Sequence, residues 1–182
     1  DFDEKQLPVE LQEYLKLQKD PSGFEELPKV PFQMYTSMPL TDAGWKAIFD
    51  ISTWQQIRMN LATFNRHNVF NDFSYVNKAY ERLTSREDIL RSKVMPYSVF
   101  SAYLNSGDIP ARIKEALNTA VQISLENIPK INGKTVIAID YSGSMDWRLN
   151  YKSSVRYIDI AAVFTAAIKF RNPNAEIVLF NT

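Results

Sequence analysis

The chain has 182 residues, 45% hydrophobic and 23% charged, with 21 Lys and Arg balancing 21 Asp and Glu, and no cysteine. This length and composition support one large or two smaller globular domains and exclude disordered and collagen-like chains. The lack of cysteine excludes disulfides and thiolate metal sites and fits a reducing compartment.

His67 is the single histidine, which all but removes zinc catalysis of the usual kind. No apolar run approaches the roughly 18 residues needed to span a bilayer, and the acidic start is unlike a signal peptide. A cytoplasmic protein without membrane contact is therefore expected. The balanced total hides an asymmetry. Residues 1–28 carry 8 acidic and 3 basic side chains, whereas residues 53–118 carry 9 basic and 6 acidic. A modest basic excess of this kind permits an anionic partner without demanding one.

In chain order, Pro8, Pro21, Pro28, Pro31 and Pro39 leave room only for short helices, the first being "VELQEYLKLQK" after Pro8. This part reads as a connecting arm laid over a surface. From Thr41, "TDAGWKAIFDI" has a hydroxyl cap, an acid in its first turn and apolar Trp45, Ile48 and Phe49 at helical spacing. The stretch "STWQQIRMNLATFNRHNVF" predicts a second helix with Trp54, Ile57, Leu61 and Phe64 on its apolar face. Three further helices are predicted at "YVNKAYERLT", at "PYSVFSAYLNS" with Pro96 at its start, and at "IPARIKEALNTAVQISLENI". Short helices joined by short loops suggest stacked helical hairpins, although no sequence repeat of fixed period is present.

At Pro129 the pattern changes class. "KTVIAID" reads as a strand buried on both faces, "SVRYIDIAAVFTAAIKF" as a long helix and "NAEIVLF" as a second buried strand. Strand, helix, strand is one βαβ unit with a parallel sheet. Two strands and one helix do not close an α/β domain, so the second domain is expected to be truncated. The division expected is 1–129 for the helical part with its arm and 130–182 for the α/β part.

The first strand runs into "DYSGSMD". Ligands of open α/β sheets bind beyond the carboxyl ends of the strands, where Asp140 falls. On an extended segment alternate residues point one way, so Asp140, Ser142 and Ser144 would converge three oxygens, with Gly143 letting the backbone turn. Oxygen ligands suit a hard cation such as Mg²⁺. Helix capping or simple turn formation is the competing reading, which the buried strand before and the helix after weaken. A nucleophilic aspartate would want a second carboxylate where Ser142 stands, and a Ser-His-Asp arrangement would have to recruit His67 from the other domain.

At these residues "VIAIDYSGSM" resembles the first metal-site motif of a von Willebrand factor A domain, a doubly wound α/β fold. The resemblance maps three metal ligands onto Asp140, Ser142 and Ser144. It implies completion of the site by a partner carboxylate and by residues on later loops. The order "VPFQMYTSMPLT", "WKAIFDISTWQQIRMNLATFNRHNVF", "KVMPYSVFSAY" and "LNTAVQISLENIP", followed by that strand, resembles the TROVE module of Ro autoantigen proteins, particularly bacterial ones. The implied fold is α plus α/β: the C-terminal part of a HEAT-like helical-repeat module, then the start of a von Willebrand factor A-type domain. The resemblance covers roughly residues 28–182 and implies a fragment of a longer or cleaved protein.

The implied function is that of a non-enzymatic ribonucleoprotein component. It would bind small Y-like noncoding RNA and the ends of misfolded RNA for quality control or turnover. An exoribonuclease or another protein would dock through the A domain. The candidate RNA contacts are Arg58, Asn65, Arg66, His67 and, more weakly, Lys93, whose donors suit phosphates and unstacked bases. Arg58 and Asn65 are two helical turns apart and would share a face. Trp45, Trp54, Phe64 and Phe70 could stack on bases, but their helical spacing makes them core. The alternative function is a metal-dependent protein-interaction or assembly module in which the helices are scaffold and no RNA binds.

Overall fold

Prolines set the limits of the first helices in the computed structural model, which describes residues 4–22, 26–151, 153 and 155–181. α1 (Val9–Lys19) begins directly after Pro8 and buries Leu17. α2 (Phe32–Tyr35) is a single turn after Pro31 that buries Phe32 and Tyr35, and the Tyr35 hydroxyl donates to the Pro28 carbonyl. α3 (Asp42–Ile51) starts where the sequence places it. The Thr41 hydroxyl accepts the Gly44 N–H at 3.2 Å, satisfying one of the amides left open at a helix start.

The single helix expected over 52–70 is instead two, α4 (Trp54–Met59) and α5 (Leu61–Arg66), followed by a 3₁₀ turn at Val69–Asn71. The break is at Asn60, whose backbone leaves the helical region at φ −120° and ψ 20°. Its side-chain amide donates to the Gln56 carbonyl at 2.8 Å, the local competition with the backbone that weakens Asn inside helices. The apolar face survives the break: Trp54, Ile57, Leu61 and Phe64 are all buried. Asn68 then turns the chain in the left-handed region at φ 59°, a conformation Asn tolerates better than most residues.

The chain divides into two compact units, Asp1–Tyr75 and Val76–Thr182. The core of the first is aromatic. The Phe64 ring lies 5.8 Å from Phe32, 6.3 Å from Trp45, 5.2 Å from Phe49 and 6.4 Å from Phe70. All four contacts are edge-on, the arrangement that ring quadrupoles favour.

α6 (Phe73–Leu83) carries the chain into the second unit. α7 (Arg86–Ser92) has no counterpart among the predicted elements: four of its seven residues are charged and only Ile89 is buried, so it shows almost no periodicity. Ser85 caps it by accepting the Asp88 N–H at 3.3 Å. α8 (Pro96–Asn105) has Pro96 at its first position, where the missing N–H is no loss. α9 (Ala111–Ser124) buries Ile113, Ala116, Leu117 and Ala120 against α7 and α8. The helix-to-strand change lies inside this unit.

β1 (Val136–Asp140), α10 (Tyr157–Arg171) and β2 (Glu176–Phe180) form the βαβ unit, with parallel register from Val136↔Glu176 to Asp140↔Phe180. The expectation that both strands are buried on both faces is corrected. All five residues of β2 are exposed, and Val136 is 60% exposed. Two strands with one helix against them leave the remaining sheet surface uncovered in this chain. α10 itself is well anchored. Phe164 packs on Tyr97 of α8 with ring centres 4.9 Å apart, and the Arg171 guanidinium donates to the Ile128 carbonyl at 3.2 Å. Beyond its end, Asn172 accepts the Ile131 N–H at 2.7 Å.

Candidate functional site

The end of β1 builds the hydroxyl cluster. The Tyr141 N–H donates to the Phe180 carbonyl at 3.0 Å, carrying the parallel pairing one step past Asp140. The chain then leaves the sheet: Ser142 has φ −58° and ψ 160°, and Gly143–Asp146 is a 3₁₀ turn. The expected extended segment is therefore a strand end followed by a turn, and its oxygens are brought together differently. One Asp140 carboxylate oxygen accepts the Ser142 N–H at 2.8 Å, and the Ser142 and Ser144 hydroxyl oxygens are 3.1 Å apart. Gly143 has no left-handed φ, and a Cβ there would meet nothing within 4 Å, so its expected role in turning the backbone is not needed.

The two hydroxyl oxygens are at hydrogen-bond distance, a separation that a small hard cation would also accept. Ligands adjacent on an octahedron with bonds near 2.1 Å are separated by about 3 Å, close to the hydroxyl separation here. Ser142 is buried, and Asp140 is half-buried and contributes the negative charge. Among the described residues no group of three or more His, Asp or Glu side chains gathers into an alternative centre.

Past the turn, Arg156 braces the next loop. Its guanidinium donates to Asp146 at 3.1 Å and to Asp159 at 2.8 Å. Hydrogen bonding from Arg156 holds the Asp159 carboxyl below the usual carboxylate range, and the same pairing raises the Arg156 pKa. Sequence reasoning singled out neither residue, because charges three apart at a helix start are common on any solvated face.

The RNA candidates fall in both units. The break at Asn60 removes the argument that Arg58 and Asn65 share one helix face, since they sit on different helices. Arg58 is half-buried with its guanidinium 5.7 Å from the centre of the Trp54 ring, whereas Arg66 is exposed. Lys93 belongs to the second unit, exposed and left-handed at φ 52°, at the C-cap of α7.

His67 is half-buried and lies flat on Trp45, with ring centres 4.1 Å apart and an angle of 12°. Burial is the main cause of its lowered pKa, Arg66 adds to the lowering, and Asp42 opposes it. The unfolded chain thus takes up the His67 proton before the folded one does. Its contribution to stability is full above pH 6.5 and is lost as the pH falls through the folded value. As the single histidine, its imidazole carbon proton gives one NMR titration curve, whose midpoint is expected below 6.5. A midpoint at or above 6.5 contradicts the burial argument.

A helical module followed by a βαβ unit with a carboxylate–hydroxyl cluster at its first strand end defines an α plus α/β protein. Among solved structures this chain is similar to the Ro (RSR) protein of Deinococcus radiodurans, with a TM-score of 0.72 and 20% identity. The match covers 94% of this chain and 36% of that one, so the chain spans just over a third of the Ro protein's length. The fold is Ro-like, in agreement with the resemblance carried by the order of its sequence motifs. The sequence matches no protein-family model and no curated protein. No helix among the described residues is long and apolar enough to cross a membrane.

Proposed function

We propose that this chain is part of a Ro-type RNA-binding ribonucleoprotein component, non-enzymatic and cytoplasmic. It binds small Y-like noncoding RNA and the ends of misfolded RNA for quality control or turnover. The observation that carries this reading is the likeness to a Ro protein over 94% of the chain, which joins the TROVE-like order of motifs. In this reading residues 1–129 are the last part of the helical-repeat module with its arm, and residues 130–182 are the start of a von Willebrand factor A-like domain.

RNA affinity is assigned to Arg58 and Arg66, with Asn65, His67 and Lys93 as secondary contacts. The test is RNA binding by the intact protein across a salt series, with Arg58→Ala and Arg66→Ala. Each contact to phosphate predicts weaker binding and a log–log salt slope shallower by about 0.7 for single-stranded RNA. Unchanged affinity and slope would remove both residues from the site.

Asp140, Ser142 and Ser144 are proposed to hold Mg²⁺, which supplies a charged anchor for a carboxylate of a protein partner such as an exoribonuclease. Asp140 provides the compensating charge, and the two serines provide neutral oxygens that leave coordination positions for water and the partner. The same cluster also serves a second reading, a metal-dependent protein-interaction or assembly module without RNA binding. Capture of a protein partner that requires Mg²⁺ and survives nuclease treatment, together with no mobility shift of RNA, supports that second reading over the first.

A further inference from the structure

Of the three oxygens assigned to Mg²⁺, two are placed by the sheet. Asp140 ends β1 in register with Phe180, and Ser142 is buried with its N–H on the Asp140 carboxylate at 2.8 Å. Ser144 is different. It is exposed and stands on the 3₁₀ turn Gly143–Asp146, an element too short to hold its geometry well alone. Within the turn the Met145 N–H donates to the Ser142 carbonyl at 2.9 Å, and the Trp147 N–H to the Ser144 carbonyl at 3.3 Å. Whatever fixes the far end of the turn therefore decides where the Ser144 hydroxyl stands.

That end is clasped to the start of α10. The Arg156 guanidinium donates through Nη1 to Asp146, the last residue of the turn, at 3.1 Å. Through Nη2 at 2.8 Å and Nε at 3.2 Å it holds Asp159, in the first turn of α10. Asp159 also accepts the Arg156 backbone N–H at 2.9 Å, so the arginine is itself fixed to the helix from which it reaches. The Tyr157 N–H donates to the Trp147 carbonyl at 3.1 Å and ties the main chain at the same place. A planar guanidinium directs several donors at two carboxylates at once, which a single ammonium does not reproduce.

Stability alone does not account for this arrangement. Arg156 and Asp146 are both exposed, and exposed ion pairs contribute little to folding. The pairing does engage Asp146, the other carboxylate of residues 140–146, and leaves Asp140 to supply the charge at the cluster.

We infer that Arg156 is a positioning residue for the metal cluster: through Asp146 it holds the 3₁₀ turn so that the Ser144 hydroxyl stays beside that of Ser142. This rests on the Mg²⁺ reading of Asp140, Ser142 and Ser144 above and adds a residue that touches none of the three.

Charge and geometry predict opposite signs, which makes the test decisive. Removing a cation from the neighbourhood of a cation site tightens Mg²⁺ binding by charge alone, whereas loss of the brace weakens it. Mg²⁺ binding to the intact protein is measured by calorimetry. Arg156→Ala is expected to weaken it by about 10-fold, the low end of the effect of groups that orient metal ligands from outside the coordination sphere. Arg156→Lys keeps the charge without the fork and is expected to weaken it as well. Asp146→Asn is expected to add little in the Arg156→Ala background, because both changes break one contact. The urea midpoint of each variant is expected to stay within the range of surface substitutions.

Mg²⁺ affinity in Arg156→Ala equal to or tighter than wild type, with binding still abolished by Asp140→Ala, overturns the positioning role and leaves the metal reading standing. Weakened binding accompanied by a large fall in the urea midpoint also overturns it, since the arginine would then serve the fold as a whole. No Mg²⁺ binding by the wild-type protein overturns both.

Discussion

Phe64→Ala is expected to destabilise the first unit by about 3–5 kcal/mol, a large share of the stability of a typical domain. The ring is fully buried and meets four others at 5.2 to 6.4 Å, so its removal both empties a site and cancels several edge-on contacts. The surrounding rings are rigid and come from α2, α3 and the turn at Val69–Asn71, which limits how far the hole can close. Urea denaturation followed by near-ultraviolet circular dichroism measures the loss. Phe64→Leu, which retains most of the volume, is expected to cost less. A change below about 1 kcal/mol for Phe64→Ala, the range of surface substitutions, would show that this aromatic cluster is not the core it is taken to be.

Asp140→Asn and Asp140→Ala are both expected to abolish Mg²⁺ binding in the intact protein, as measured by calorimetry, while the fold persists. The pair separates two roles of one carboxylate. Asparagine keeps an oxygen that can accept the Ser142 N–H, now at 2.8 Å, but carries no charge. Alanine loses both and is expected to cost about 1 kcal/mol more in stability. If the aspartate served only to shape the turn, Asp140→Asn would be nearly silent and Mg²⁺ heats would match the wild type. Equal metal binding in wild type and mutant defeats the assignment.

Much of the fold was legible in the sequence because the deciding interactions are local. Thr41 caps α3 and Pro96 opens α8 through groups within four residues of each helix start. The helix–strand change after Pro129 was readable because the period of the apolar pattern changes there. The misses have equally specific causes. Asn60 divides a stretch whose apolar spacing runs on unbroken, since a side-chain amide in the ladder leaves no trace in periodicity. α7 escaped because its charges conceal a single buried Ile89. The strands read as buried because an apolar run records what a sheet is suited to, not what covers it here.

At the candidate site, the residue types at the end of β1 were visible and their geometry was not. The hydroxyls approach through a 3₁₀ turn instead of by strand alternation.

The central claim is that the protein containing this chain grips RNA. It is tested most directly by the affinity of the intact protein for a structured noncoding RNA ending in a single-stranded tail, measured at low and at physiological salt. A Ro-type binder is expected to hold the tailed RNA more tightly than its blunt-ended counterpart, with affinity falling steeply as salt rises. An absence of binding at low salt, or binding indifferent to both tail and salt, would contradict it.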